Sequence, residues 1–213
     1  MKISTLVVGE FQENCYLVVD EATHRAVLID PGAEGESLVR EVKAAGATLE
    51  AIWLTHAHLD HIGGIAAVLR TAKVPVYLHP ADLPVFAYGP RSAAMYGVPF
   101  EAAEPPDRTM ADGDTLSLGT LQFAVFHAPG HAPGHVVIHG HGVAFVGDCL
   151  FAGSVGRTDL PLSDGEALRR SLVRIASLPA DTVVFPGHGP ETTIGTELAT
   201  NPFLTGLAHP VRR

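Results

Sequence analysis

Between Thr55 and Gly64 the sequence reads Thr-His-Ala-His-Leu-Asp-His-Ile-Gly-Gly, which sets four metal-ligand side chains inside six residues. Neutral imidazole and carboxylate are ordinary ligands for zinc, iron or manganese. Without a metal, the same groups repel when protonated and cost desolvation when buried. The density of the motif therefore points to a metal site rather than to a solvated histidine tract. In an extended segment residues two apart face the same way, so His56 and His58 can share one ion. Asp60 and His61 come where the chain turns into a helix, point elsewhere, and suggest a second ion beside the first.

Three later places repeat one design, an apolar strand ending in a Gly-containing loop with a single ligand-type residue. Phe123 to Phe126 leads into Pro129-Gly130-His131, Val143 to Val146 into Gly147-Asp148, and Val183 to Phe185 into Pro186-Gly187-His188. Strand ends converge on one edge of a layered fold, where open α/β sheets place their sites. His131, Asp148 and His188 are thus candidates to complete the cluster. The other histidines, at 24, 79, 127, 135, 139, 141 and 209, read as surface or supporting residues. His127 and His135 flank His131 closely enough to orient a ligand by hydrogen bonding.

The elements that must position these groups are legible as alternating apolar runs and helical patterns. Ile3 to Val8, Cys15 to Val19 and Ala26 to Ile29 read as strands, followed by a break at Asp30-Pro31-Gly32. A helix is expected from Glu36 to Ala45, stopped by Gly46, then a strand from Ala51 to Leu54 and a helix from Ile62 to Leu69. Gly63 and Gly64 are expected to let that helix pack close to its strand. Val74 to Leu78 is a further strand. Pro80 to Asp107, with six prolines among aromatics, is expected to be irregular, with those aromatics either lining a cleft or anchoring the loop. Strands resume at Thr115 to Leu118, Leu121 to Phe126, Val136 to His139 and Val143 to Val146, with a turn at Gly140-His141-Gly142. Ser163 or Asp164 caps a helix from Glu166 to Leu178, and Thr182 to Phe185 is one more strand. Helices mixed with two groups of strands predict a layered α/β domain, two packed sheets with helices outside, spanning 1–213.

Composition narrows the function classes. Of the 213 residues 46% are hydrophobic and 17% charged, and no apolar run is long enough to span a bilayer. The net charge of −9 argues against nucleic acid, which is bound through clustered Lys and Arg. Arg169-Arg170 with Arg174, and Arg212-Arg213, read as solvated surface. The start lacks a signal peptide's long apolar region, and only Cys15 and Cys149 are present, so a cytoplasmic, reducing location is expected.

The chain resembles the metallo-β-lactamase superfamily, and within it the type II glyoxalases, the hydroxyacylglutathione hydrolases. The residues that carry the resemblance are Gln12-Glu13-Asn14-Cys15-Tyr16, Asp30-Pro31-Gly32, the His-x-His-x-Asp-His stretch and His127-Ala-Pro-Gly-His131-Ala-Pro-Gly-His135. It continues through Gly147-Asp148-Cys149-Leu150-Phe151, Gly156-Arg157-Thr158-Asp159, Pro186-Gly187-His188-Gly189 and Asn201-Pro202-Phe203-Leu204. It implies an αββα sandwich, with His56, His58 and His131 on one metal, Asp60, His61 and His188 on the other, and Asp148 bridging them. The implied cofactors are two divalent ions, zinc first and iron or manganese as substitutes.

The implied activity is hydrolysis of a small-molecule thioester such as S-lactoylglutathione by metal-bound hydroxide, with no protein nucleophile. Asp60 and Asp148 would be the catalytic carboxylates, and Arg157 would hold a substrate carboxylate unless it pairs with Asp159. Cys149 follows a ligand along an extended segment and should point away from the metals. The chain stops soon after Asn201-Pro202-Phe203, where longer type II glyoxalases carry a helical extension with basic glutathione contacts, so it is similar to the shorter, single-domain members. Gly189-Pro190 also replaces the usual aromatic after the last metal histidine. Two rival functions remain. One is a persulfide dioxygenase with one iron on His56, His131 and Asp148; the other is a metal-binding module without catalysis.

Overall fold

Some strands are buried on both faces and others alternate buried with exposed positions, and the architecture follows from what covers each. The computed structural model describes residues 1–206; His209 and Arg212-Arg213 lie outside the described residues. The first sheet contains β1 (Lys2–Val8), β2 (Glu13–Asp20), β3 (Arg25–Ile29), β4 (Thr48–Trp53), β5 (Val76–Leu78) and β6 (Arg108–Thr109), in that spatial order. The second contains β7 (Thr115–Leu118), β8 (Leu121–His127), β9 (Val136–Gly140) and β10 (Val143–Gly147). After a small separate hairpin, β11 (Leu150–Phe151) with β12 (Ser154–Val155), it is completed by β13 (Val183–Pro186) and β14 (Thr192–Thr193). Its order is β14-β13-β10-β9-β8-β7. Both sheets are mixed. β1, β2 and β3 pair antiparallel and β3 to β6 parallel; β10 pairs parallel with β13 and antiparallel with β9.

β2 is buried along its whole length. Tyr16 and Val18 turn inward with Val27, Ile29 and Trp53 to meet Phe123, Val125, Ile138 and Phe145 of the second sheet, forming the central core. Cys15, Leu17 and Val19 turn outward with Leu28 and Ile52. The helices that cover this outer face are α1 (Gly35–Ala44), the short α2 (Leu59–Ile62), α3 (Ile65–Thr71) and α4 (Leu83–Tyr96). On the far side, Val137, Ala144, Val146 and Val184 pack under α5 (Gly165–Ile175) and α6 (Ile194–Thr200). The four layers are helices, sheet, sheet, helices, as expected. A strand covered on both faces must read as a nearly continuous apolar run, as β2 to β4 and β10 do.

Three details differ from the sequence reading. Residues 80–107 are not wholly irregular: a 3-10 turn at Pro80–Asp82 leads into the 14-residue α4. Pro84 falls in its first turn, where no N–H is needed, and the buried Val85, Phe86, Gly89 and Ala93 keep helical spacing beneath the prolines. Pro90 is inside the helix and removes one bond of its ladder. The helix expected over Ile62 to Leu69 is split into α2 and α3 at Gly63 and Gly64. These glycines pack not on their own strand but on the loop after β3: a Cβ on Gly64 would stand 2.7 Å from the Pro31 carbonyl oxygen and 2.8 Å from that of Ala33. Asp164, rather than Ser163, caps α5, accepting from the N–H groups of Glu166 at 2.8 Å and Ala167 at 3.0 Å.

Candidate metal centre

The parallel strands β3, β4, β10 and β13, together with β8, end on one edge of the two sheets, and the antiparallel β2 and β9 begin there. Asp30, the His56–His61 stretch, His131, Asp148 and His188 are therefore delivered to one place, with Glu13 and His135 beside them. Ligand atoms of His56, His58 and His131 lie within 4.8 Å of one another, and so do those of Asp60, His61 and His188. Asp148 stands between the two groups. Its Oδ1 is 3.5 Å from His61 Nε2, and its Oδ2 is 3.4 Å from His131 Nε2 and 3.7 Å from His188 Nε2. His188 Nε2 lies 3.3 Å from Asp60 Oδ2. Gly187 permits the approach: a Cβ there would overlap Asp148 Oδ1 and stand 2.8 Å from His61 Cε1.

Hydrogen bonds behind the cluster fix which nitrogen of each ring faces it. His131 Nδ1 donates to the Arg157 carbonyl at 2.9 Å, which leaves Nε2 as the lone pair. His61 Nδ1 donates to Asp30 Oδ2 at 3.1 Å. Thr55 Oγ1 gives its hydrogen to the same oxygen at 2.6 Å and is left as acceptor for His56 Nδ1 at 3.1 Å. Asp30 thus orients two rings at once. His58 Nδ1 faces His131 Nε2 at 2.9 Å.

His56 Nε2, His61 Nε2 and Asp148 Oδ1 are buried without a hydrogen-bond partner. Buried polar atoms are nearly always partnered. Three such orphans of ligand type, converging from two segments far apart in sequence, are the chemistry of a metal-binding donor set, so the residues present fit divalent ions. Charge agrees with this at the first group, whereas in the second the neighbouring carboxylates raise the pKa of His61 and His188. Burial lowers the pKa of His56, and burial with His131 beside it brings His58 down to about 3. Both imidazoles are neutral at ordinary pH, the form in which imidazole binds a metal. Asp148 is held far below the usual carboxylate range, because His61 and the neighbouring imidazoles outweigh the effect of its burial.

Other residues singled out from sequence take supporting places. His135 stacks on His56 with ring centroids 4.8 Å apart, and its Nε2 accepts from the Asp148 N–H at 3.0 Å. His127 bonds the Pro133 carbonyl at 2.8 Å and stacks on His79 at 4.2 Å, outside the cluster. Cys149 donates its S–H to the Ala128 carbonyl, away from the ligands. The Arg157 guanidinium is exposed and forms a two-pronged pair with Asp159, at 2.6 and 2.7 Å.

Three buried acids beside the cluster had no role assigned from the sequence. Asp30 sits at φ 51°, in the left-handed region. It ends an apolar strand before a Gly-containing loop, the same signal that marked His131, Asp148 and His188. Glu13 is fully buried with both oxygens unpartnered, 3.8 Å from His61 Nδ1. Asp82 accepts from Ala57 N at 2.7 Å and Gly134 N at 2.6 Å, and its burial pushes its pKa up to about 6. No local pattern marks Asp82, because its partners are backbone groups far along the chain.

The profile of the Metallo-beta-lactamase superfamily matches residues 8–188. The chain belongs to that superfamily. This metallo-hydrolase superfamily includes the hydroxyacylglutathione hydrolase GloC of Haemophilus influenzae, 38% identical over 209 residues, covering 96% of this chain and 98% of the relative. Among solved structures, TTHA1623 in a di-iron-bound form superimposes with a TM-score of 0.88 at 45% identity, covering 94% of this chain and 100% of that one. ETHE1 from Myxococcus xanthus gives 0.81 at 29% identity, covering 97% and 85%. These superfamily relatives share the layered fold. No helix among the described residues is long and apolar enough to cross a membrane.

Proposed function

We propose that the protein is a dinuclear metal-dependent hydrolase of small-molecule thioesters, of the type II glyoxalase kind, with S-lactoylglutathione as a representative substrate. The observation that carries this reading is the Asp148 carboxylate, set between two ligand-type groups that each hold a buried imidazole nitrogen, His56 Nε2 and His61 Nε2, without a hydrogen-bond partner. His56, His58 and His131 would hold one ion, Asp60, His61 and His188 the other, and Asp148 would touch both. Zinc, iron and manganese all suit this mixture of imidazole and carboxylate. Ions held there lower the pKa of a bound water and polarise a carbonyl.

The protein's own part is placement. Asp60 and Asp148 both face the cleft above the cluster, where their oxygens accept hydrogen bonds from the attacking water and hold it in line with the thioester carbonyl. In the overall reaction the water oxygen bonds to the acyl carbon and the carbon–sulfur bond breaks with its electron pair leaving on sulfur. A carboxylic acid and a thiol result. A thiolate is a good enough leaving group to need no protein acid, in keeping with Cys149 facing away. Arg157 borders the cleft and would contact a substrate carboxylate only by exchanging its bond to Asp159.

The same reading takes 1–213 as one domain, since the ligands come from both sheets, and places it in the cytoplasm, where the free thiols Cys15 and Cys149 stay reduced. The rival reading, a mononuclear-iron persulfide dioxygenase on His56, His131 and Asp148, leaves Asp60, His61 and His188 converging without a role. Parallel assays of metal-replete protein separate the two. Thiol release from S-lactoylglutathione without oxygen uptake on glutathione persulfide is the expected result; oxygen uptake without thiol release would replace the hydrolase by the oxygenase.

A further inference from the structure

The cleft over the metal residues has a volume of about 680 Å³, and much of its wall is apolar. On one side α4 lays Val85, Tyr88, Ser92, Met95 and Tyr96 along a single face, at helical spacings of three and four. On the other stand Leu160, Pro161 and Leu162. Met95 is 71% exposed and Leu162 62%, and Tyr88 and Tyr96 are exposed as well. Large apolar side chains grouped around a cleft mark a surface that something covers.

Leu162 is held at φ 68°, a backbone region that a leucine seldom adopts. Strain of this kind collects at ligand-binding lips. At the inner end Phe11 meets Tyr96 edge to face with ring centroids 5.5 Å apart, which stiffens the wall. Among the described residues Arg157 is the one arginine or lysine lining the cleft, and Asp159 engages its guanidinium. Asp60, Asp148, His58, His131 and His188 also line the cleft, as do Phe151, Ser154 and Val155.

We infer that the site takes a thioester bearing an apolar chain or ring on the arm that lies between α4 and residues 160–162. The inference rests on the thioester reading for the bond that is cut, but not for what the cleft prefers. Binding of a substrate's remote apolar part between these walls supplies orientation at the reacting carbonyl.

The test uses the full, metal-loaded chain and two measurements. Calorimetry compares S-methyl with S-hexyl N-acetylcysteamine, thioethers that cannot be cleaved. Kinetics compare acetyl with hexanoyl thioesters of N-acetylcysteamine, then acetyl thioesters of methanethiol and hexanethiol, and S-lactoylglutathione; the two series tell whether the apolar arm is acyl or thiol. The hexyl thioether is expected to bind at least about tenfold more tightly than the methyl one. Met95→Asp and Leu162→Asp, both at exposed positions, should bring that ratio close to one, while Met95→Leu should keep it. Equal binding of the two thioethers, or an unchanged ratio in both aspartate variants, would overturn the inference. Graded binding with no hydrolysis of any thioester would leave the apolar cleft standing and remove the thioester reading instead.

Discussion

Asp30 Oδ2 lies 3.1 Å from Nδ1 of His61, although 31 residues separate the two in sequence. The same carboxylate accepts from Thr55 N at 2.7 Å and Thr55 Oγ1 at 2.6 Å, so every partner it has is a donor. Asp30→Asn replaces one acceptor oxygen by an NH₂ group that must face a donor. The expected result is metal binding weakened by about 10–100-fold, since groups behind a ligand control its tautomer and aim. Competition with a chromogenic chelator measures it. Affinity equal to that of the parent protein at both ions would mean that Asp30 orients nothing.

Asp148 and Arg157 border the same cleft but should differ sharply when truncated. Metal-replete parent protein is expected to carry two ions, by elemental analysis, and Arg157→Ala should retain both. Asp148→Ala removes a donor shared by the two groups, so occupancy should fall and activity should drop by about a hundredfold or more. Arg157→Ala breaks only an exposed ion pair with Asp159, worth about 0.2–1 kcal/mol, and its backbone carbonyl remains to hold His131. Its effect should therefore be on KM and less than about tenfold. Two ions retained in Asp148→Ala would remove the shared-ligand role, whereas a larger loss in Arg157→Ala would make the guanidinium a principal substrate contact.

How far the sequence revealed this protein depends on the range of the interaction concerned. His56, His58, Asp60 and His61 announce themselves because their spacing is local, and His131, Asp148 and His188 because each follows an apolar run into a glycine loop. The four layers were readable because strands covered on both faces must be apolar throughout. The helix α4 was hidden by proline, whose restrictions are weaker in a first turn than the residue type suggests. Asp82 was invisible for another reason: it acts through partners distant in sequence, and a lone buried acid leaves no periodic trace.

Asp82 provides the test of that last point. It joins the metal-motif loop, through Ala57, to the His131 loop, through Gly134, and so sets the separation of ligands that come from different sheets. An asparagine there accepts from one N–H and presents its own amide hydrogens to the other. Leaving one buried group unsatisfied costs about 1–3 kcal/mol. Urea unfolding of Asp82→Asn against the parent should show a loss of that size, together with reduced metal affinity. A loss of stability with unchanged affinity would limit Asp82 to holding the fold.

The last prediction concerns acid stability and lies at the opposite end of β2 from Glu13. Asp20 accepts from Thr120 N at 2.7 Å and Thr120 Oγ1 at 3.0 Å in the turn between β7 and β8, and from Thr23 Oγ1 at 2.7 Å and Ala22 N at 3.1 Å in its own turn. It thereby pins a turn of the first sheet to one of the second. The Thr120 N–H and the Thr23 hydroxyl hold its carboxyl well below the ordinary aspartate range. In the unfolded chain the same group titrates near about 3.9. A folded pKa below the unfolded one means that the unfolded state binds the proton first as pH falls. The stabilisation is therefore complete above about pH 5 and drains away as pH drops through and below 4. Metal-free protein suits the measurement, because it removes the acid sensitivity of the metal ligands from parent and variant alike. Urea unfolding at pH 6 and pH 3 should show Asp20→Asn well below the parent at the higher pH and closer to it at the lower. A gap of the same size at both would mean that the turns are held by their threonines and not by the charge on Asp20.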